Sequence, residues 1–292
     1  FRFQPRTASG TEPREFRQAG VECFGVADEE SADVEIVQLA VEAVRNAGLA
    51  DIALRFGDIG LFYALLDALA LPERWRVKLR HYFWRPPAFH ALLASLANGE
   101  RRNGDGEVAR LAARLDARDQ PAAEDVIATY LEEKGWPLSG NRTLAEIAGR
   151  LLDHAADLKA EPLPKEFATV IEYYLSVDTE PLPGLDRIEM IAKGAGLDLG
   201  PALYLARRRF ERLAKSGIDL SRARFATEFG RDLEYYSGLV FQIEAAGGDK
   251  KPIAGGGRYD GLLQSMGAPH EVPAVGAAIS TERLLDAVAS AS

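Results

Sequence analysis

The sequence predicts an α+β protein in which helices flank an antiparallel β-sheet and an all-helical segment interrupts the sheet-forming regions. Strand-like alternation of polar and apolar residues is concentrated near the two ends of the 292-residue chain. The region between them repeats helical patterns that are separated by proline. We therefore expect residues 1–77 and 200–292 to form two parts of one core, with residues 78–199 inserted between them as helices.

Strand and helix patterns alternate in the first part of the core. Residues 14–25 (EFRQAGVECFGV) alternate between polar and apolar or small side chains, which predicts a strand. A helix is predicted over residues 31–48, with Ser31 as its N-cap and Gly48 as its stop. Its apolar stripe is predicted to contain Ile36, Leu39, Ala40, Ala43 and Val44. DIALRFGDIG then predicts another strand, and GLFYALLDALAL another helix.

The middle region is predicted to be helical from patterns such as AFHALLASLANG and TLAEIAGRLLDHAADL. No repeat of fixed period is apparent in it. Just after this region, three consecutive arginines at 207–209 lie in the amphipathic pattern YLARRRFERLAKSG. We expect this basic run to be a solvated helix face rather than a nucleic-acid contact.

Strand patterns return in the second part of the core. SGLVFQIEAAGG predicts a strand that ends in a glycine turn. PIAGGGRYDGLL predicts a strand, a glycine bend and the start of a helix. PAVGAAISTERLLDAVAS predicts a strand that leads into a terminal helix, and we expect all of these strands to join those of the first part in one sheet.

The composition excludes several classes of protein and site. A formal net charge of −9 makes the chain a poor general partner for a polyanion. One cysteine excludes a disulfide framework and a thiolate zinc cluster, and four scattered histidines predict no metal site. No apolar run approaches the roughly 18 residues of a membrane helix, so we expect a cytoplasmic protein. Because the chain starts without methionine in a strand-like pattern, we expect that residues preceding it are missing.

The stretch ATEFGRDLEYYSGLVFQIE places charged and phenolic side chains where a strand is predicted to begin. In a strand, Tyr235 and Tyr236 would project to opposite faces, so that one could enter a pocket while the other packs. Arg231 could bind a carboxylate or a phosphate. An ordinary tyrosine pair in a β core, with a surface arginine beside it, remains an open alternative.

Two further motifs could contribute to a binding site. The glycines at 255–257 would permit unusual backbone dihedrals and close approach of a ligand, although the pattern matches neither a dinucleotide-binding nor a Walker motif. Gln18, Gly20 and Glu22 share one face of their strand, where an amide and a carboxylate could hold an ammonium or a ring nitrogen. A glycine bulge and a half-exposed polar strand face are the respective alternatives.

Taken in order, these motifs resemble the catalytic core of histidyl-tRNA synthetase, which has the class II aminoacyl-tRNA synthetase fold. PheArg at 1–2 and FRQAGVECFG resemble the two strands of motif 2 of that family. RDLEYYSGLVF resembles its histidine-recognition motif, GGGRYDGLL its glycine-rich pocket floor and VGAAISTERLL its motif 3. The resemblance covers residues 1–75 and 200–292 and is vague in the helical insertion.

The resemblance implies a histidine-binding pocket. Glu22 and Tyr236 would hold the two imidazole nitrogens, Gln18 would face the α-amino group and Arg231 would reach the carboxylate or an adenylate phosphate. The other residues that the resemblance places in this pocket are Tyr235, Gly256, Arg258 and Tyr259.

The departures from the synthetase pattern concern the ATP site. Arg2 and Arg283 match the two arginines that bind ATP in that family, so they would form a vestigial phosphate site. Gln4 stands where the synthetase has glutamate, and Ser280 and Thr281 replace a glycine and a leucine that lie under the adenosine. The core is followed by too few residues for an anticodon-binding domain, so we expect none.

With these departures, and in the segment ALRFGDIGLFYALLDALAL, the chain resembles a non-catalytic paralogue of the synthetase, the family of regulatory subunits of the short-form ATP phosphoribosyltransferase. This resemblance implies no catalytic residues, no cofactor, and histidine as a feedback inhibitor of the first step of histidine biosynthesis. It also implies a dimer that assembles with a short catalytic subunit into a hetero-octamer, without binding tRNA or a membrane. A truncated histidyl-tRNA synthetase or adenylating paralogue is one alternative, and a stand-alone histidine-binding module is another.

Overall fold

The computed structural model describes residues 2–3, 16–99, 107–112, 115, 119–136, 138, 143–230, 234–247 and 251–291. The chain divides into two compact units. The first contains residues 1–89 and 169–292, and the second contains residues 90–168. The second unit lies within the predicted insertion of 78–199 and is shorter than it, and it is described separately below.

The first unit is built on a sheet of eight described strands. Their bounds in chain order are β1 Arg2–Phe3, β2 Phe16–Phe24, β3 Ile52–Asp58, β4 Asp178–Thr179, β5 Ala223–Ala226, β6 Leu239–Ala245, β7 Ala254–Arg258 and β8 Ala274–Ser280. Their order across the sheet is β1-β2-β8-β7-β6-β3-β5-β4. Neighbouring described strands are antiparallel, except that β3 and β5 are parallel. Both strand-rich ends of the chain therefore contribute to one sheet, as the sequence predicts.

Twelve α-helices lie within the described residues. They are α1 Glu29–Asn46, α2 Ile59–Ala68, α3 Glu73–Tyr82, α4 Pro86–Asn98, α5 Glu107–Ala112, α6 Gln120–Lys134, α7 Leu144–Lys159, α8 Lys165–Leu175, α9 Pro181–Gly194, α10 Gly200–Lys215, α11 Leu262–Ser265 and α12 Thr281–Ala291. In the described part of the chain, none of these helices is long and apolar enough to cross a membrane.

Helices α1 and α10 cover one face of the sheet. Helix α1 packs against β7 and β8, and α10 packs against α1, α2 and α9. A row of phenylalanines from three strands, Phe241, Phe56 and Phe225, is fully buried on this face. The ring of Phe210 from α10 lies 5.4 Å from that of Phe56 and 5.7 Å from that of Phe225. Burial of these large apolar side chains stabilises the packing of the helices on the sheet.

Helix α1 begins earlier than predicted because its N-cap is Asp28 and not Ser31. The Asp28 carboxylate accepts a hydrogen bond from the backbone N–H of Ser31 at 3.1 Å, so Ser31 lies in the first turn. The predicted apolar stripe is also rotated relative to the observed one. Leu39 is exposed, whereas Val37 is buried.

The basic run at 207–209 is only partly the solvated face that its pattern predicts. Arg207 pairs with Asp186 of α9 near the surface. Arg209, however, is 6% exposed and its guanidinium contacts the carboxylates of Asp33 and Asp58. The expectation is wrong for Arg209 because that residue occupies the buried stripe of α10.

The second unit is helical in its described residues. Helices α5, α6 and α7 share a small apolar core of Ala112, Leu115, Ala123, Ile127, Ala148, Leu151, Leu152 and Ala155. Helix α7 starts with a capping box between Thr143 and Glu146, and α6 ends at Gly135 in the left-handed conformation. These local signals set the bounds of the two longer helices.

Candidate functional site

A row of four residues crosses the sheet on the face opposite α1. Side chains of residues that pair directly across strands project to the same face. The register therefore aligns Glu22 of β2 with Gly276 of β8, Gly257 of β7 and Val240 of β6. Arg258, the next residue after Gly257, reaches Asp33 of α1, so this row lies on the other face. We call Gly276 and Gly257 the glycine floor.

The glycine floor lets neighbouring side chains lie directly over the backbone of the sheet. A Cβ atom on Gly276 would collide with the Glu22 carboxylate, and one on Gly257 would lie 2.9 Å from two ring carbons of Tyr236. The three glycines at 255–257 lie inside β7, and none of them has a positive φ. The predicted bend with unusual dihedrals is therefore wrong, because these glycines provide space and not a turn.

Three tyrosines cluster beside this floor. The ring centroids of Tyr235 and Tyr236 are 4.6 Å apart, and that of Tyr259 lies 5.4 Å from Tyr235. Tyr236 and Tyr259 are buried, whereas Tyr235 is 37% exposed. The prediction that Tyr235 and Tyr236 face opposite sides of a strand is wrong. Strand β6 begins only at Leu239, so both tyrosines lie in the preceding segment 234–238, which we call the tyrosine turn and in which strand alternation does not apply.

Tyr259 holds the Glu22 carboxylate over Gly276 of the glycine floor. The Tyr259 hydroxyl donates a hydrogen bond to Oε2 of Glu22. Burial, followed by this hydrogen bond and the negative charge of Glu22, raises the pKa of Tyr259 far above its ordinary value. Tyr259 therefore remains a protonated donor, and Glu22 is oriented to accept further hydrogen bonds from a ligand.

This arrangement suits a small ligand that has a flat ring and N–H donors. The glycine floor lets the Glu22 carboxylate and the Tyr236 ring lie against the sheet backbone, so these two groups form the surface that a ligand would meet. Glu22 supplies a carboxylate acceptor, and the tyrosines supply aromatic walls with hydroxyl groups that can donate or accept. Gln18 lies on the same face of β2 as Glu22, opposite Ser280 of β8.

Two residues that the resemblance assigns to the pocket lie on the α1 face instead. Gly256 and Arg258 alternate with Gly257 along β7, so both point away from the glycine floor. Arg258 is 3% exposed and contacts Asp33 and Asp260. We correct these two assignments: strand alternation excludes both residues from the floor side.

Of the remaining predicted residues, Arg2 and Arg283 lie in described elements. Arg2 lies in β1 opposite Arg17 of β2. Arg283 lies in the first turn of α12, and its Nη1 donates to the carbonyl oxygen of Pro252 at 3.1 Å. Arg231 and Gln4 lie outside the described residues. In the part of the chain that the structure describes, no group of three or more His, Cys, Asp or Glu side chains could hold a metal ion.

Sequence reasoning missed Gly276 and the residues that anchor the tyrosine turn. Gly276 interrupts the apolar run PAVGAAIS, and a glycine inside a strand pattern is itself a signal of close backbone approach. Ser237 and Asp260 carry no comparable signal, because their hydrogen bond depends on strand pairing between β6 and β7.

Comparisons with known proteins show the family to which the chain belongs. The histidyl-tRNA synthetase family model matches residues 2–135 and 190–284. A protein of Mesorhizobium japonicum described as an ATP phosphoribosyltransferase regulatory subunit is 39% identical over 287 residues, which are 97% of this chain and 74% of that protein. The chain belongs to the histidyl-tRNA synthetase-like family of ATP phosphoribosyltransferase regulatory subunits. Another protein so described, from Agrobacterium fabrum, is 36% identical over 272 residues, 92% of this chain and 71% of that protein.

Solved structures share the fold of this regulatory-subunit family. A protein of Bacillus halodurans, titled an ATP phosphoribosyltransferase regulatory subunit/histidyl-tRNA synthetase, superposes with a TM-score of 0.59 at 18% identity. That match covers 95% of this chain and 54% of the other, so this chain spans about half the length of that structure. A histidine–tRNA ligase subunit of Alicyclobacillus acidocaldarius gives 0.50 at 25% identity, over 100% of this chain and 68% of the other. The fold class and the family resemblance predicted from the sequence are confirmed.

Proposed function

We propose that this chain is a non-catalytic regulatory subunit of the short-form ATP phosphoribosyltransferase and that it binds histidine on the glycine floor. Relatives that are 39% and 36% identical to it carry that name. The observation that carries the ligand assignment is the Glu22 carboxylate, which Tyr259 holds over the backbone of Gly276 beside the tyrosine cluster.

Histidine fits this site by its chemistry. Its imidazole is flat and can lie against the Tyr236 ring and the Glu22 carboxylate, which cover Gly257 and Gly276, while a ring N–H donates to Glu22. The second ring nitrogen would meet a phenol of the tyrosine turn, as the family resemblance implies for Tyr236. The amide of Gln18 lies on the same face and would accept from the α-amino group.

The α12 region supports regulation rather than ATP chemistry. Glu282 accepts hydrogen bonds from the backbone N–H of Arg17 at 3.0 and 3.1 Å, and Thr281 Oγ1 donates to the Arg17 carbonyl at 3.2 Å. The start of α12 is thus tied to β2, and Ser280 faces the same side as Gln18. A serine at that position would crowd an adenosine placed there.

The proposed assembly contains a short catalytic subunit, which performs the phosphoribosyl transfer. Within it, this chain forms a dimer, and the whole is a cytoplasmic hetero-octamer that binds no tRNA, membrane or cofactor. Histidine acts as the effector, and it can shift the assembly only by its difference in affinity for the active and inhibited states.

Formation of phosphoribosyl-ATP tests this proposal. The protein is mixed with a short-form catalytic subunit, and product is measured with and without histidine. We expect activity to require this chain and to fall when histidine is added. Activity that is independent of this chain would refute the regulatory role. Histidine-dependent exchange between ATP and pyrophosphate by the protein alone would instead favour an adenylating paralogue.

A further inference from the structure

A buried ionic chain lies on the α1 face of the sheet. It runs from Asp58 through Arg209, Asp33 and Arg258 to Asp260. The successive N–O distances are 2.7, 2.6, 2.7 and 2.8 Å. Its four members from Asp58 to Arg258 are buried, and Asp33 is completely so. The chain therefore links α10, α1 and β7 by charged groups that solvent does not reach.

One end of the buried ionic chain holds the turn that carries the tyrosines. Ser237 Oγ accepts a hydrogen bond from the backbone N–H of Asp260 at 3.0 Å. The backbone N–H of Ser237 donates to the carbonyl oxygen of Arg258 at 2.8 Å. A Cβ atom on Gly238 would lie 3.1 Å from Cδ of Arg258, so the Arg258 side chain fills the space beside the turn.

The other end of the buried ionic chain holds the same turn from its C-terminal side. Asp58 caps α2 by accepting from the backbone N–H of Leu61 at 3.3 Å. Ile59, the first residue of α2, donates its backbone N–H to the carbonyl oxygen of Gly238 at 2.9 Å. The two residues that follow Tyr236 are therefore fixed from both ends of one ionic chain.

Stability alone does not explain such an arrangement. Burying charges removes their hydration, and apolar residues of similar volume often stabilise a core equally well or better. Ionic groups do, however, restrict a packed region to one geometry, because guanidinium and carboxylate groups bond only in a narrow range of orientations. Such a restriction is useful in a region that must hold a ligand-binding turn in one position relative to the sheet.

We propose that the buried ionic chain positions Tyr236 over the glycine floor and Tyr235 beside it, with Arg258 as the central positioning residue. Arg258 contacts Asp33 and Asp260 at once, which a residue with a single donor group could not do in this geometry. It lies on the α1 face and acts through Ser237 and Gly238, not by touching the ligand. The effect on histidine binding rests on the proposed function, whereas the effect on the turn does not.

Hydrogen exchange of the apo protein tests the positioning role directly. Arg258→Met removes the contacts to Asp33 and Asp260 while it keeps the length of the side chain. The matched control is Val37→Ala, which weakens the packing of α1 and keeps every charged side chain of the ionic chain. At equal loss of global stability, we expect the Ser237 amide to exchange about tenfold faster in Arg258→Met than in the control. Equal exchange rates in the two variants would overturn the proposal.

A second variant and a binding measurement complete the test. Arg258→Lys keeps the positive charge, so it is expected to fold. It lacks the guanidinium group that contacts Asp33 and Asp260 at the same time, so the Ser237 amide should also exchange fast. Wild-type exchange rates in Arg258→Lys would contradict the positioning role. By calorimetry, histidine should bind Arg258→Met about tenfold more weakly than it binds Val37→Ala. If the wild-type protein binds no histidine, the proposed function fails, while the exchange rates still decide the positioning role.

Discussion

Gly257 is the position where a single methyl group tests the glycine floor. A Cβ atom there would lie 2.9 Å from Cδ1 and Cε1 of Tyr236 and 2.6 Å from the carbonyl oxygen of Leu239. Both distances are shorter than real Cβ contacts. Tyr236 is buried and Leu239 is part of the neighbouring strand β6, so Gly257→Ala must displace the ring or the strand.

The expected size of this effect follows from overpacking. Inserting a methyl group into a packed site costs about 1–3 kcal/mol. For a chain of this size that should lower Tm by about 2–10 °C. In the proposed complex, displacing Tyr236 would also remove its hydrogen bond and ring contact with histidine, worth about 1.5 kcal/mol, so Kd should rise about tenfold.

Calorimetric titration with histidine and thermal unfolding measure the two effects of Gly257→Ala. The control is Gly194→Ala in α9, where an added Cβ atom meets nothing within 4 Å. The control should bind histidine with the wild-type Kd. Unchanged Kd and Tm in Gly257→Ala would refute the view that Tyr236 lies over a floor that only glycine permits.

Three further predictions concern charge. Glu22→Gln should weaken histidine binding about 5–30-fold, because a neutral acceptor replaces a charged one, whereas Glu35→Gln on the exposed face of α1 should leave the calorimetric Kd unchanged. The free energy of unfolding should fall as pH rises above about 10, because unfolded tyrosine ionises there while burial and Glu22 raise the folded-state pKa of Tyr259. In urea unfolding at a series of pH values, the free energy of unfolding of Tyr259→Phe should fall less steeply above about pH 10 than that of the wild type. An equally steep fall in both proteins would exclude Tyr259 as the source of the pH dependence. Arg209→Met should cost about 3–5 kcal/mol in urea unfolding because it leaves buried carboxylates without their partner, whereas Arg224→Met, which breaks an exposed pair, should cost about 0–1 kcal/mol.

Local patterns predicted the strands and helices around the candidate site well. Alternation over EFRQAGVECFGV and the apolar run SGLVFQIEAAGG correspond to β2 and β6. The patterns failed where a turn and a strand carry similar residues. Tyr235 and Tyr236 have high strand propensity, but hydrogen bonds to β7 and α2 hold the residues after them in a turn.

The buried ionic chain was partly visible in the sequence. Asp33 and Arg209 each occupy a position in the apolar stripe of an amphipathic helix, where a charge needs a partner. The stripe alone does not identify that partner, since Asp33 and Arg209 are far apart in the chain and belong to helices that meet only on the folded sheet. The solvated face expected for 207–209 was wrong for the same reason.

The sequence by itself determined the element types, the order of the motifs and the likeness to the histidyl-tRNA synthetase fold. These properties depend on local periodicity and on residues near one another in the chain. Only the tertiary structure decided that Glu22, Gly276 and Gly257 form one row, and that Gly256 and Arg258 face away from it. Strand register sets both results, because a shift of one residue moves every side chain to the opposite face of the sheet.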